Sequence, residues 1–153
     1  MKQMKIAIGS DHAGFALKER LKNYLIKLNY EVKDFGTHSE ESVDYPDIAF
    51  EVSRDVSNGK FDRGILICGT GIGMCIAANK VVGIRAAICW DERTAKLSRK
   101  HNDSNILCLG GRILDEEEAL KIVDVWLTTE FEGGRHLRRI KKISEYERTS
   151  ALC

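Results

Sequence analysis

Apolar residues fall along this chain in two alternating patterns, short continuous runs and longer stretches with helical spacing. Met4-Lys5-Ile6-Ala7-Ile8 reads as a first strand, ended by Gly9-Ser10-Asp11-His12. Leu17, Leu21, Tyr24, Leu25 and Leu28 then share one helix face. Glu31 to Phe35 reads as a second strand, and Thr37 to Tyr45 as polar loop. Pro46 suits a helix start, with Ile48, Ala49, Val52 and Val56 along one face. The third strand, Asp62 to Cys68, carries an Ile-Leu-Ile run suited to burial on both sides of a parallel sheet. After the turn Gly69-Thr70-Gly71-Ile72-Gly73 come a helix from Met74 to Lys80, a strand from Ile84 to Cys89 and a helix from Asp91 to Lys100. A fifth strand spans Asn105 to Leu109. Ala119, Ile122, Val123 and Trp126 mark another helix face, and the basic segment Arg135 to Tyr146 reads as a last helix.

Five strands alternating with helices predict a Rossmann-like three-layer α/β/α sandwich on a five-stranded parallel sheet, of Rossmann or flavodoxin type. A C-terminal helical extension begins near residue 133. Ligands of such sheets bind at the carboxyl ends of the strands. The chemistry is therefore expected in the loops after strands one, three, four and five.

Composition narrows this further. At 153 residues, 43% hydrophobic and 31% charged, residues 1–153 are expected to form one domain. Lys plus Arg is 24 and Asp plus Glu is 23, so the net charge of +1 indicates neither a nucleic-acid nor a membrane partner. No apolar run nears the roughly 20 residues of a bilayer helix, and the first residues lack a signal-peptide core. Cys68, Cys75, Cys89, Cys108 and Cys153 are odd in number and contain no C-x-x-C. They read as reduced thiols of a cytosolic protein.

Several residues stand where a sheet of this class binds ligands. Asp11-His12 opens a helix, where an ordinary N-cap is the plain alternative. Cys68-Gly69-Thr70-Gly71-Ile72-Gly73 offers backbone amides, and a helix N-terminus favours a thiolate over a thiol. This loop is not a Walker A motif, since no Lys follows in register, and not a phosphatase loop, since position 74 is Met74. Gly9 to Gly14 likewise departs from the dinucleotide fingerprint. His101-Asn102-Asp103 closes a helix, with Asn102 as C-cap for its plain alternative. Arg112 follows Gly110-Gly111. Gly133-Gly134 precedes Arg135 and Arg139, one turn apart on a helix face, an arrangement that suits a phosphate.

In their order and spacing the elements SDHAG, DYP, ILICGTGIG, IAANK, GIRA, LSRKHND, LGGR and EGGRH resemble the ribose-5-phosphate isomerase B family, which includes isomerases of allose 6-phosphate and galactose 6-phosphate. The resemblance runs from about Lys5 to about Tyr146. It implies an aldose–ketose isomerase that interconverts ribose 5-phosphate and ribulose 5-phosphate through a cis-enediolate, without metal or organic cofactor. Cys68 then looks like the general base; some members use for that task a Glu within the glycine loop, at the position that is Met74 here. The resemblance makes the amides of Gly69, Thr70, Gly71, Ile72, Gly73 and Met74 the hole for the enediolate oxygen, and Thr70 a proton carrier. His101 resembles the acid that opens the furanose ring, with Asp11 assisting and Asn102 holding a hydroxyl. His12, Arg135 and Arg139 resemble phosphate ligands, with Arg112 near the sugar or phosphate and Tyr45 lining the pocket. His136 and Arg138 have weaker claims, and His38 none; Cys75 is expected to pack.

Family members form dimers, some of them dimers of dimers, in which each site takes residues from both subunits. The basic last helix, with no evident place on a five-stranded monomer, agrees with that. A six-carbon substrate is the alternative within the family. A sugar-phosphate sensor is another, though it would need only the arginines and glycines. A metal-dependent phosphoesterase built on Asp11-His12 would need more ligands; among the four histidines only His101 offers itself.

Overall fold

A computed structural model describes residues 3–150. Cys153 lies outside them. Strands β1 (Lys5–Ser10), β2 (Glu31–Asp34), β3 (Arg63–Cys68), β4 (Ala86–Ile88) and β5 (Ile106–Gly110) form one sheet, and every pairing in it is parallel. The helices are α1 (Phe15–Lys27), α2 (Tyr45–Ser57), α3 (Ile72–Ala78), α4 (Glu92–Asn102), α5 (Glu116–Thr128) and α6 (Arg135–Ser150). A 3-10 turn, His12–Gly14, precedes α1.

Alternation along the strands sorts the core into two layers. Ile6, Ile8, Ile65, Ile67, Leu107 and Leu109 pack against Leu17, Leu21 and Leu25 of α1, Ala95 of α4 and Trp126 of α5. Ala7, Leu66, Cys68, Ile106 and Cys108 face the other way, onto Val52 of α2 and Met74 of α3. Leu28, placed on the buried face of α1 by its spacing, is instead 45% exposed just past the helix end.

The strand order is β2-β1-β3-β5-β4. Flavodoxin-type sheets run 2-1-3-4-5, so the last two strands are exchanged here. Right-handed crossovers explain the layers that result. The chain moves outward from β3 to β4, which keeps α3 beside α2; it then steps back from β4 to β5, which puts α4 on the face of α1 and α5. The exchange also makes β4 an edge strand of 3 residues, shorter than the six-residue segment its apolar run predicts. Side chains close the backbone around it: Asn105 Oδ1 accepts from Arg85 N at 2.8 Å, and Asn79 Oδ1 from Ala86 N at 2.8 Å.

Helix α6 lies along the amino-terminal edge of the sheet. Glu132 N bonds the Lys100 carbonyl at the end of α4, and Glu147 reaches the amide of Gly83 ahead of β4. Only His136 and Ile140 of this helix are buried, while Leu137, Ile143 and Tyr146 stay exposed. No helix among the described residues is long and apolar enough to cross a membrane.

Candidate active site

The loops leaving β1, β3 and β5 meet at the switch point, where β2 and β3 diverge to either side of β1. Asp11 N bonds the Ile67 carbonyl, Gly111 N bonds the Cys68 carbonyl at 2.8 Å, and Arg112 N the Gly69 carbonyl at 3.0 Å. Ser10 pairs with Gly36 and Thr37 through two 2.7 Å backbone bonds, which tie in the loop after β2.

Cys68 ends β3 buried, and its Sγ accepts the Gly71 amide at 3.2 Å. Gly71 holds φ at +83°, the left-handed region, directly before α3. Thr70 Oγ1 accepts the Ile72 amide at 3.2 Å. The amides of Gly73 and Met74 belong to the first turn of α3, where a helix has no acceptor of its own to offer. The ring of Tyr45 closes on this turn: a Cβ on residue 73 would stand 2.6 Å from it, so a larger residue there would have to displace the ring. Arg112 folds back over Gly69, its Nη1 3.6 Å from where a Cβ there would sit.

Asp11 is the N-cap of the 3-10 turn, its Oδ1 accepting from Ala13 and Gly14 at 3.0 and 3.1 Å. Its other oxygen, Oδ2, accepts no bond from a described residue. The plain alternative therefore holds for one oxygen and leaves the second for a ligand. His12 Nδ1 accepts the Val43 amide at 3.3 Å, so a neutral ring carries its proton on Nε2 and presents that nitrogen as a donor. Val43 was not legible as a site residue, because its contribution is a backbone amide.

Four expected site residues lie elsewhere. Helix α4 starts beyond the carboxyl end of β4 and returns to the amino end of β5. Its 11 residues span about 16 Å, which carries His101 and Asn102 to the amino-terminal edge of the sheet. Exposed Arg135 and Arg139 open α6 at that same edge. The expectation that the chemistry sits in loops after the strands thus fails for these four, since a helix that precedes a strand ends at the strand's beginning. Asn102 is also not the C-cap: Asp103 takes the left-handed position, φ 45°, and Asn102 is the last helical residue. A phosphoesterase centre joining Asp11 and His12 to His101 cannot form within one chain for the same reason.

His101 and His136 stack with ring centroids 4.2 Å apart and planes 15° apart. With Glu132 they bring three metal-type ligand atoms within 4.8 Å of one another. Near-parallel imidazoles point their lone pairs side by side, so one ion could take both only after a ring had turned. Burial, then His101 and Arg135, push His136 toward the neutral form, against the pull of Glu132. Cys75, expected to pack, is half-buried on α3; a hydrogen bond from Cys108 lowers its pKa, which burial opposes, to about 7.

The chain carries the signature of a known family, described as ribose/galactose isomerase, over residues 6–143. It is 50% identical over 143 residues to ribose-5-phosphate isomerase B of Escherichia coli K12, covering 94% of this chain and 96% of the relative. Among solved structures, Clostridium thermocellum ribose-5-phosphate isomerase B superposes with a TM-score of 0.95 at 56% identity, covering 96% of this chain and 99% of that one. The Mycoplasma genitalium ribose-5-phosphate isomerase B with bound ribulose-5-phosphate does so with a TM-score of 0.93 at 47% identity, over 97% and 99%. A thiol under a glycine-loop amide, on a parallel sheet matched from end to end by these proteins, leaves one conclusion: the chain belongs to the ribose/galactose isomerase family.

Proposed function

We propose that this protein is a cytosolic isomerase that interconverts D-ribose 5-phosphate and D-ribulose 5-phosphate in sites shared between the two subunits of a homodimer. The observation that carries the shared site is the split described above. Cys68, Thr70, Asp11 and His12 lie at the carboxyl edge of the sheet, and His101, Asn102, Arg135 and Arg139 at the amino edge. A two-fold axis that sets two chains side by side and antiparallel brings each edge against its opposite, twice. The exposed apolar residues of α6 and of α3, Ile72 and Ile76, supply surface for such a contact.

The chemistry follows from the groups present. The partner subunit's His101 passes a proton to the ring oxygen of the furanose as the C1–O bond breaks, and Asp11 Oδ2 takes the proton of the C1 hydroxyl, which frees the C1 aldehyde. The Cys68 thiolate then removes the C2 proton and returns it to C1. Charge builds on the sugar oxygen, where the free amides at the start of α3 can each supply about 3–4 kcal/mol of stabilisation. Thr70 moves a proton between the two oxygens, and Asp11 Oδ2 and the partner's Asn102 hold hydroxyls. His12 Nε2, Arg112 and the partner's Arg135 and Arg139 hold the phosphate.

Mixing two inactive variants tests the shared site. In a heterodimer of Cys68→Ala and His101→Asn, one site carries both lesions and the other neither. Random reassociation is expected to restore about a quarter of parental activity. Activity that stays at the level of the separate variants would place all catalytic groups in one chain. Relative kcat/KM on ribose 5-phosphate, allose 6-phosphate and galactose 6-phosphate ranks the substrates, with the pentose expected first.

The arginines make a separate expectation. The phosphate does not react, so its ligands bind ground and transition state alike. Charge-assisted bonds of about 1.5–3 kcal/mol imply that Arg135→Ala and Arg139→Ala each raise KM roughly 10- to 100-fold with little change in kcat. Unchanged KM in both variants removes them from the phosphate site.

A further inference from the structure

We propose that His136 is a positioning residue: its ring is the platform on which the imidazole of His101 is oriented for ring opening. The inference rests on the reading of His101 as the ring-opening acid. It starts from an unusual placement. His136 is 5% exposed, and its Nε2 has no hydrogen-bond partner. The carboxylate facing it, Glu132 Oε1, stands 4.0 Å away, beyond hydrogen-bond reach. A buried imidazole nitrogen without a partner is costly, and an aliphatic side chain would fill the same space without that cost. The feature an aliphatic residue could not supply is the flat face lying 4.2 Å from His101.

The surroundings fix that face in place. His136 is the second residue of α6, whose start is clamped to α4 by the bond from Glu132 N to the Lys100 carbonyl. Ile140, one turn on, is the other buried residue of α6. The charged groups about His136 are Glu132 on the preceding segment and Arg135 and Arg139 on its own helix, with His101 facing it from α4. Burial, His101 and the two arginines favour the neutral ring; Glu132 alone opposes them. A neutral ring accepts both imidazole and imidazolium against its face, so His101 can give up and regain its proton without losing its support. Two charged rings at this separation would instead repel.

Two substitutions separate the flat face from mere volume. His136→Leu fills the space without a ring, and His136→Phe keeps a ring without nitrogens. His136→Leu is expected to slow the single-turnover opening of ribose 5-phosphate roughly tenfold, the scale of one lost aromatic stack. Its KM should change less than about twofold, because only a step in turnover is affected. Exchange of the C1 hydrogen of ribulose 5-phosphate in D2O should continue at the parental rate, since the ketose has no ring to open. His136→Phe is expected to recover ring opening to within about threefold of the parent. In a His101→Asn background, His136→Leu should cost nothing more, because a residue that acts through another has no effect once that other is gone.

Equal slowing by Leu in both backgrounds, or no rescue by Phe, overturns the proposal, as does a loss of C1 exchange that matches the loss of ring opening. If His101→Asn itself opens the ring at the parental rate, the acid assignment falls and the positioning role with it. If His101→Asn is slow and His136→Leu is not, only the positioning role falls.

Discussion

Replacing Cys68 by alanine or serine is expected to leave a folded protein that binds sugar phosphate as the parent does and turns over roughly 10²–10⁴-fold more slowly. The geometry gives the reason. The sulfur ends the strand at the switch point, in the layer facing α2 and α3, and accepts an amide from the turn that starts α3. The Gly71 amide donates to it at 3.2 Å, and the same turn presents the amides that meet the developing oxyanion. Alanine has no base, and serine offers a hydroxyl far too weakly basic to take a carbon-bound proton. If Cys68 only packed, alanine would cost some stability and leave kcat near normal.

Alkylation gives an independent measurement. Substrate should protect the buried Cys68 from modification by iodoacetamide. Cys75 competes, because it is half-buried and its pKa is brought down to about 7 chiefly by the bond with Cys108. Cys89, raised to about 11 by burial, and the fully enclosed Cys108 should react slowly. The modified residue must therefore be mapped by mass spectrometry. Substrate protection at Cys75 alone, with Cys68 unmodified and Cys68→Ala active, would end the assignment of Cys68 as base.

Much of this site was legible before the fold was, for a local reason. Strand ends, glycine turns and helix starts are written in consecutive residues, so Asp11-His12 and the loop from Cys68 to Gly73 could be located on the carboxyl edge directly. The alternation of Ile65, Leu66 and Ile67 likewise fixes which faces they cover once β3 is interior. The exchange of β4 and β5 could not be read. It depends on which neighbour a strand meets across the sheet, and a segment as short as Ala86-Ala87-Ile88 carries no pattern that says so. Missing the return path of α4, an expectation built on loops after strands put His101 and Asn102 on the wrong edge. The stack of His101 on His136 was hidden for the same kind of reason. The two residues are far apart in sequence, and their contact exists only because α6 folds back onto the end of α4.

His101→Asn is expected to separate ring opening from proton transfer. A ribose 5-phosphate furanose must open before C2 can lose its proton, and general acid catalysis of such a step is worth roughly 10²–10⁴-fold. Ribulose 5-phosphate carries its phosphate on the oxygen that would close a furanose, so it enters the site already open. The variant should therefore exchange the C1 hydrogen of ribulose 5-phosphate with D2O at close to the parental rate, while single-turnover opening of the aldose falls by the full factor. Steady-state ratios alone are a poor guide, because the equilibrium constant links kcat/KM in the two directions for any species the enzyme itself interconverts. Asparagine is the informative replacement, since it keeps a hydrogen-bonding side chain at the end of α4 but cannot act as a proton donor of useful acidity. His101 is only half-buried, so the change should leave thermal stability near that of the parent. Loss of exchange and ring opening in equal measure would move His101 from the ring oxygen to the enediolate step. An unaffected opening rate would remove it from the mechanism.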